Sequence, residues 1–493
     1  MKRKTARRIV CFACSLLLAC LSVLSASANS ALNYWFGVDA GGVMIREKTC
    51  PLEITHERLI FRLNEQPPIH FSDVDEFLGY GNCVSAEYTF YNPADYWVDA
   101  VLLFPFGLLP DYAVEANGGA SRYGSLDARK YNVYVDGYPV RKQVRYTMGE
   151  TESSHIGLDP GAVENEYRKD PFFRPDLPVT VYTYRVSGVE AGEKNQVQLV
   201  FECKEDSRQN CAFYTEQIMD CADSEDKSFY MADWITKADN GRTFRAYRFG
   251  EAGSVSAGIY QDAYESKKKA TGQAELVKTE TVTFEDFALR GWNDRIDVPK
   301  VDYYNAVVQE IQAERGNEPN QTFYQLYSYR DGVLPHLMRW YEYQLSVGPK
   351  KKAVNSVNAP IYPGINREYD PAVYEYTYLT SPAKSWKKFG GLEVEIETPY
   401  ELIQSDPGGF EKKDGKYVMF RDSLPERELK FSLCTVSDPH PVEHRTADEP
   451  ASETVSTVFF IMAAAVLILA VIGICVWLII RAVRKSSKNR TGK

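Results

Sequence analysis

The stretch "EYTFYNPADYWVDAVLLFPFG", Glu87 to Gly107, decides the fold class. In it and the residues just before, Val84, Ala86, Tyr88 and Phe90 alternate with Ser85, Glu87 and Thr89. That period of two is the mark of a strand with one face buried. Asn92-Pro93-Ala94-Asp95 supplies a turn, because proline presets φ and Asn and Asp cap tight bends. Val98 to Phe104 is apolar on both faces near its end, as a central strand would be. Pro105 and Pro110 predict where it stops, since proline cannot donate to a ladder. The stretch therefore predicts a central hairpin of an antiparallel β-sandwich.

The rest of the chain agrees with a mainly β protein. "YNVYVDGYPV", Tyr131 to Val140, is a second hairpin, with Asp136-Gly137 suited to a two-residue turn. Val179–Val186 and Val197–Phe201 form another pair across "SGVEAGEKN". Residues 29–201 thus read as one β-sandwich domain, with a polar surface loop over Gly149–Pro178. Residues 202–300 form a mixed middle region with acidic "DSEDK" and basic "SKKK". Val301 to Arg315 has apolar residues at Val301, Tyr304, Val307, Val308 and Ile311, a helical spacing that predicts an amphipathic helix covering a sheet. This helix leads a second β-rich domain, residues 301–434. There "GLEVEIETP" sets Leu392, Val394 and Ile396 against Glu393, Glu395 and Glu397, a sheet with one wet acidic face.

The two ends carry address information. Lys2, Arg3, Lys4, Arg7 and Arg8 head an apolar stretch to Leu24, and Ala26-Ser27-Ala28 is a small-residue cleavage site. Residues 1–28 therefore read as a signal peptide. Residues 457–480 carry no charge and suffice for one transmembrane helix, given a bilayer core of about 30 Å. The basic tail, 481–493, comes next, while Asp448, Glu449 and Glu453 precede the span in a Pro- and acid-rich stalk, 435–456. That asymmetry predicts a single-pass type I protein of the cell membrane, with the bulk of the chain extracytoplasmic. Setting aside five basic residues of the head and six of the tail turns the net charge of −10 into about −21 outside. An exterior so acidic should be repelled by nucleic acid and by anionic surface polymers.

Six cysteines fall in that exterior: Cys50, Cys83, Cys203, Cys211, Cys221 and Cys434. An even number in an oxidising compartment suggests up to three disulfides, with no pairing decided by sequence. They contain no CxxC pair, which argues against zinc.

Catalytic motifs are present only in fragments. His440-Pro441-Val442-Glu443-His444 fits H-x-x-E-H, which binds zinc when a helix brings both imidazoles to one face. Pro441 and the stalk location argue strongly against that helix. Ser381-Pro382-Ala383-Lys384 and Ser385-Trp386-Lys387-Lys388 match S-x-x-K of serine acyl-transferases without its partner motifs. Asp73, Asp75 and Glu76 could hold Ca²⁺, but a short acidic loop is more often just solvated. Trp35, Trp97, Trp292, Trp340 and Trp386 could stack on sugars, or fill a core, and Tyr96 and Trp97 beside the first turn are the candidates for surface contact. The expectation is therefore no catalytic, cofactor-binding or metal residue. The function expected is non-enzymatic: a structural or protein-interaction role, with a carbohydrate- or envelope-polymer-binding module and a cryptic hydrolase as alternatives, and a protein or glycan partner outside the cell.

Two stretches carry a family pattern. "AGGVMIREKTCPLEITHERLIF" with "VSAEYTFYNPADYWVDAVLLFPF" near the start, and "YLTSPAKSWKKFGGLEVEIETP" with "LPERELKFSL" near the end, resemble an uncharacterised family of exported bacterial β-sandwich proteins. The family pattern runs Gly-Gly, E-x-L-x-I, Y-x-F-x-N, then FP. Here Glu57 to Phe61 reads E-x-L-I-F instead. A looser similarity is to the vault/inter-α-trypsin-inhibitor domain, although the D-x-S-x-S metal run of its usual neighbour domain is missing. These resemblances imply a fold and no catalytic residue.

Overall fold

The two strands that flank Asn92, Cys83–Tyr91 and Val98–Gly107, do not pair with each other. In this computed structural model, which describes residues 34–35, 38–45, 50–114, 125–149, 158–204, 211–215, 220–223, 228–250, 254–262, 268–315 and 333–442, the first lies between Glu53–Arg62 and Lys352–Pro360 in an eight-stranded sheet. The second lies between Met44–Ile45 and Leu337–Val347 in a four-stranded sheet. The expected hairpin is instead an arch that carries the chain from one layer to the other. Alternation alone does not separate these cases. Val84, Ala86, Tyr88 and Phe90 are fully buried, as are Leu102 and Phe104, but the two apolar rows face each other across a core. Both strands are central, as their burial requires. Pro105 does not end the second strand; it sits at the register shift opposite Trp340, where a ladder bond is already lost.

Leu337–Val347 and Lys352–Pro360 repeat the crossing beside the first arch, pairing with Val98–Gly107 and Cys83–Tyr91 respectively. The eight-stranded sheet also takes in Val133–Val135, Tyr138–Val140, Phe389–Glu397, Glu411–Lys413 and Lys416–Arg421. A six-stranded sheet built mostly from residues 364–434 shares its core, through Tyr376, Tyr378, Leu429, Phe431 and Leu433. Strands from the expected first and third domains are thus interleaved in the same sheets. The hairpin at Asp136-Gly137 is as expected, with φ of 49° and 80° at its two central residues.

The protein is mainly β, in several sheets, but not purely antiparallel. Phe389–Glu397 runs parallel to Glu53–Arg62, and Ala40–Gly41 runs parallel to Val373–Leu379. Gly390 makes the first of these approaches possible: a Cβ there would fall 1.9 Å from the Thr55 carbonyl oxygen. Leu392, Val394 and Ile396 are buried as predicted. The glutamates between them are not a bare acidic face, because Arg58, Arg62 and Lys416 neutralise them. One acid, Glu57, points the other way, into the core, and accepts from Tyr378 Oη at 3.2 Å. Burial pushes its carboxyl up to about 7.

Residues 178–283 form a second pair of sheets. Pro178–Ser187 lies between Thr243–Gly250 and Gln273–Thr283, with Cys211–Thr215 at one edge. Val197–Lys204 lies between Ser228–Ile235 and Val255–Asp262. Their shared core includes Tyr184, Val186, Leu199, Phe201, Phe244 and Ala246. The boundary expected at residue 201 therefore cuts through this unit; Pro178–Ser187 and Val197–Lys204 take their partners from strands that begin at residue 211 or later.

The helix Lys300–Arg315 is where predicted, but it does not cover one sheet with a wet back. Tyr303, Tyr304, Val307, Val308 and Ile311 pack with Val179, Val181 and Phe249 of the 178–283 sheets, with Phe284 just after them, and with Tyr146 and Met148. Its polar residues are buried too. Asp302 accepts from Arg145 and from the Tyr146 backbone, and Gln309 accepts from the Met148 backbone at 2.9 Å. Residues 158–177 are likewise no surface loop, since Val163 and Phe173 are buried. Val163 joins Trp340 and Met338, while Phe173 meets Phe249 and Phe284.

The expected signal peptide, transmembrane span and basic tail, and the stalk beyond residue 442, lie outside the described residues. No helix among the described residues is long and apolar enough to cross a membrane.

Candidate ligand-binding site

The site is built on a buried ion pair. Asp127, on the short helix Leu126–Arg129, and Arg339, on the strand Leu337–Val347, are each about 1% exposed. Arg339 Nη1 donates to both carboxylate oxygens, at 2.8 and 3.0 Å. Its remaining nitrogens donate to the carbonyls of Gly107 (3.0 Å) and Leu108 (2.9 Å). Tyr362 Oη donates to the other side of Asp127 at 2.9 Å. Gly107 has to be glycine here: its φ is +85°, and a Cβ would lie 2.7 Å from that of Val38. A buried, fully satisfied pair of this kind fixes geometry more than it adds stability. It pins residues 125–129 to the sheet.

That pinning aims the Ala128 carbonyl, which accepts from Lys142 Nζ at 2.9 Å and from Tyr341 Oη at 3.0 Å. The Lys142 ammonium also stands 3.5 Å above the centre of the Tyr341 ring. Burial pulls this lysine down to about 7, with the Asp127 charge opposing the shift. Lys142 lies between two hollows. One, of about 520 Å³, is lined by Ser125, Arg129, Lys142, Val144 and residues 296–299. The other, of about 450 Å³, is lined chiefly by Arg141, Lys142, Gln143, Glu342 and Gln344. Both volumes suit a small molecule.

The carboxylates in these walls already have donors. Asp297 accepts from Ser125 Oγ and from Arg129 Nη2, the latter at 2.6 Å. Glu342 accepts from Arg145 Nη1 at 2.7 Å and Gln143 Nε2 at 2.6 Å. Arg129 is held by Asp297, which leaves Arg141 and Lys142 as the basic groups at the rim, with Val144, Ile296 and Val298 as the apolar wall. The arrangement can receive an acidic group and pack its carbon skeleton.

The residues singled out by sequence lie elsewhere. Cys50 and Cys83 are half-buried beside the main core, Cys203 is buried and accepts from Arg248 at 3.0 Å, and Cys434 is buried near the carbonyls of Pro371 and Ala372. Cys83 and Cys434 carry free thiols, and burial raises the pKa of the Cys83 thiol. Cys211 and Cys221 occupy strands of different sheets, opposite Gly250 and Met231. His440 is exposed, and His444 lies outside the described residues. Among the described residues no group of three or more His, Cys, Asp or Glu is placed to hold a metal ion.

The S-x-x-K serines and lysine hold a turn. Thr380 and Ser381 donate backbone N–H groups to Glu428, and Lys384 donates to the Glu426 carbonyl. Asp73 caps the helix Val74–Gly79, and Glu76 accepts from Ser72. Trp340 and Trp386 are core residues that donate to Thr147 and to the Val43 carbonyl. Trp292 is half-buried, and Tyr96 and Trp97 are exposed as expected. Sequence reasoning missed Asp127, Lys142 and Arg339 altogether; each stands alone in its local pattern, and Asp127 and Arg339 gain meaning only from one another, 212 positions apart.

No family model and no curated protein matches the chain. A solved Legionella pneumophila protein described as a "putative nutrient binding protein" is similar over 81% of this chain and 72% of its own, at 9% identity and a TM-score of 0.33. A likeness at that level carries no functional argument.

Proposed function

We propose that this chain is a membrane-anchored, extracytoplasmic binding protein without catalytic turnover, whose ligand is a small acidic molecule held at Lys142. The observation that carries the reading is the placement of Lys142 between two hollows, with Arg141 beside it and both neighbouring carboxylates already tied, Asp297 to Arg129 and Glu342 to Arg145. Small-ligand binding is not among the roles expected from sequence; the two hollows beside Lys142 are what suggest it. Membrane anchoring rests on the uncharged 457–480 span and its basic flank, and the exported location on the signal-like head. The resemblance to exported β-sandwich proteins supports the same address.

Titration calorimetry of the full chain in detergent, against di- and tricarboxylates and sugar phosphates, tests the ligand. Lys142→Met should weaken binding at least tenfold, and binding by the unaltered chain should fall as pH rises through about 7, where the ammonium is lost. Uncharged sugars bound as well as acids, or affinity indifferent to Lys142→Met, would refute the reading. Protease digestion of intact cells that spares only a short fragment is the result expected of a type I anchor; complete protection would remove it.

A further inference from the structure

Besides the hollow at Lys142, one surface is built with unusual rigidity. The two arches meet at their turns, residues 92–97 and 348–351, and Asn92 laces them together. Its buried side chain donates to the carbonyls of Tyr96 (2.8 Å), Val347 (2.9 Å) and Gly348 (3.1 Å), and accepts from the Ala94 N–H at 2.9 Å. Its backbone N–H donates to Lys351, and that of Lys350 donates to Ala94. Lys350 Nζ donates to Pro93. A double turn so braced has little motion left to lose on binding.

Yet this braced element holds two large aromatic side chains out in solvent. Trp97 is 67% exposed and Tyr96 is 58% exposed. Single exposed aromatics are ordinary, but an adjacent pair on a rigid turn is a preformed surface. A Cβ on Gly348 would lie 3.5 Å from Trp97 Cζ2 and 3.5 Å from Lys351 Cγ, so ring and lysine stem flank the same glycine. Lys351 and Lys352 are exposed and make no ion pair among the described residues. Against Asp95, the three lysines leave a local positive excess in a chain whose net charge is −10.

We propose that the double turn is a docking platform for an acidic polysaccharide, in which Trp97 and Tyr96 stack on sugar rings while Lys351 and Lys352 pair with ring carboxylates. The aromatic faces alone would fit neutral sugars, and the lysines alone any polyanion. Side by side they fit a sugar that carries its charge on the ring. The platform is separate from the Lys142 hollow and does not depend on the reading given to it.

The test is binding of the full chain to immobilised polygalacturonate, with neutral dextran, dextran sulfate and phosphatidylglycerol vesicles in parallel. Polygalacturonate should be bound in preference to all three. Trp97→Ala should weaken binding at least tenfold, Trp97→Phe should restore part of it, and the Lys351→Ala/Lys352→Ala pair should weaken it and flatten its salt dependence. Lys142→Met should leave it unchanged. These side chains are exposed, so the unfolding midpoint of each variant should match that of the unaltered chain; Lys351→Glu gives an independent reading if Trp97→Ala shifts it. Failure to bind polygalacturonate, equal binding of dextran or dextran sulfate, preference for vesicles, or indifference to both Trp97→Ala and Lys351→Glu would each overturn the proposal.

Discussion

The outward face of the eight-stranded sheet and the floor of the Lys142 site both hold arginine–carboxylate pairs, in opposite surroundings. On the sheet, Arg58 reaches Glu395 at 2.8 Å, Glu393 at 3.3 Å and Glu87 at 3.8 Å, with its side chain 38% exposed. Beneath the site, Arg339 and Asp127 are sealed from water and bonded at every nitrogen and oxygen the pair needs. Water already solvates the first group, so its ion pairs replace interactions nearly as good. The second has no such alternative, and removing one partner strands the other.

The largest effect that can break this contrast is Arg339→Met, which leaves Asp127 buried and unpaired. It should cost about 3–5 kcal/mol in denaturant unfolding, and adding Asp127→Asn should recover part of that loss. If Arg339→Met is neutral, the buried pair is not a rigid floor.

Glu57 sharpens the contrast from a third position, as a buried acid with hydroxyl partners and no cation. Its folded pKa is raised from 4.5 to about 7, so the folded chain holds the proton more tightly than the unfolded one. Stability from this group is then full below pH 4.5 and is lost as pH rises through about 7. The loss across that window is about 3 kcal/mol. Glu57→Gln should remove this slope from a stability–pH curve; an unchanged slope would assign it to other groups. The smallest effect belongs to the surface: Arg58→Ala should cost less than about 1 kcal/mol and shrink further with added salt.

Strand character was legible in the sequence because a period of two survives any partner. The alternation over residues 84–90, the two-residue turn at Asp136-Gly137 and the apolar row of 392–396 are all present. Which strand pairs with which was not legible. A hairpin and an arch require the same alternation, and only the packing of Phe90 toward Trp386, rather than sideways to Val98, tells them apart. Domain boundaries failed for the same reason, since the partners of Cys83–Tyr91 include a strand that begins at Lys352. Helix 300–315 was legible as a helix but not as an internal one, because Asp302, Asn305 and Gln309 look like a wet face until Arg145 and the Met148 backbone are found against them. The site fared worst. Lys142 is one basic residue among 57, and nothing local marks it.

The parallel pairing of Glu53–Arg62 with Phe389–Glu397 joins segments whose side chains, Arg58 and Glu395, are 337 positions apart. While the chain is being made, the early strand is therefore complete long before its neighbour exists. Its apolar residues Leu59 and Phe61 lack their late-made neighbours until that segment arrives, whereas residues 178–283 contain their own strand partners and should close sooner. A chain truncated before residue 389 should keep the sheets of residues 178–283 and present the open edge of the eight-stranded one, a natural target for chaperones and proteases.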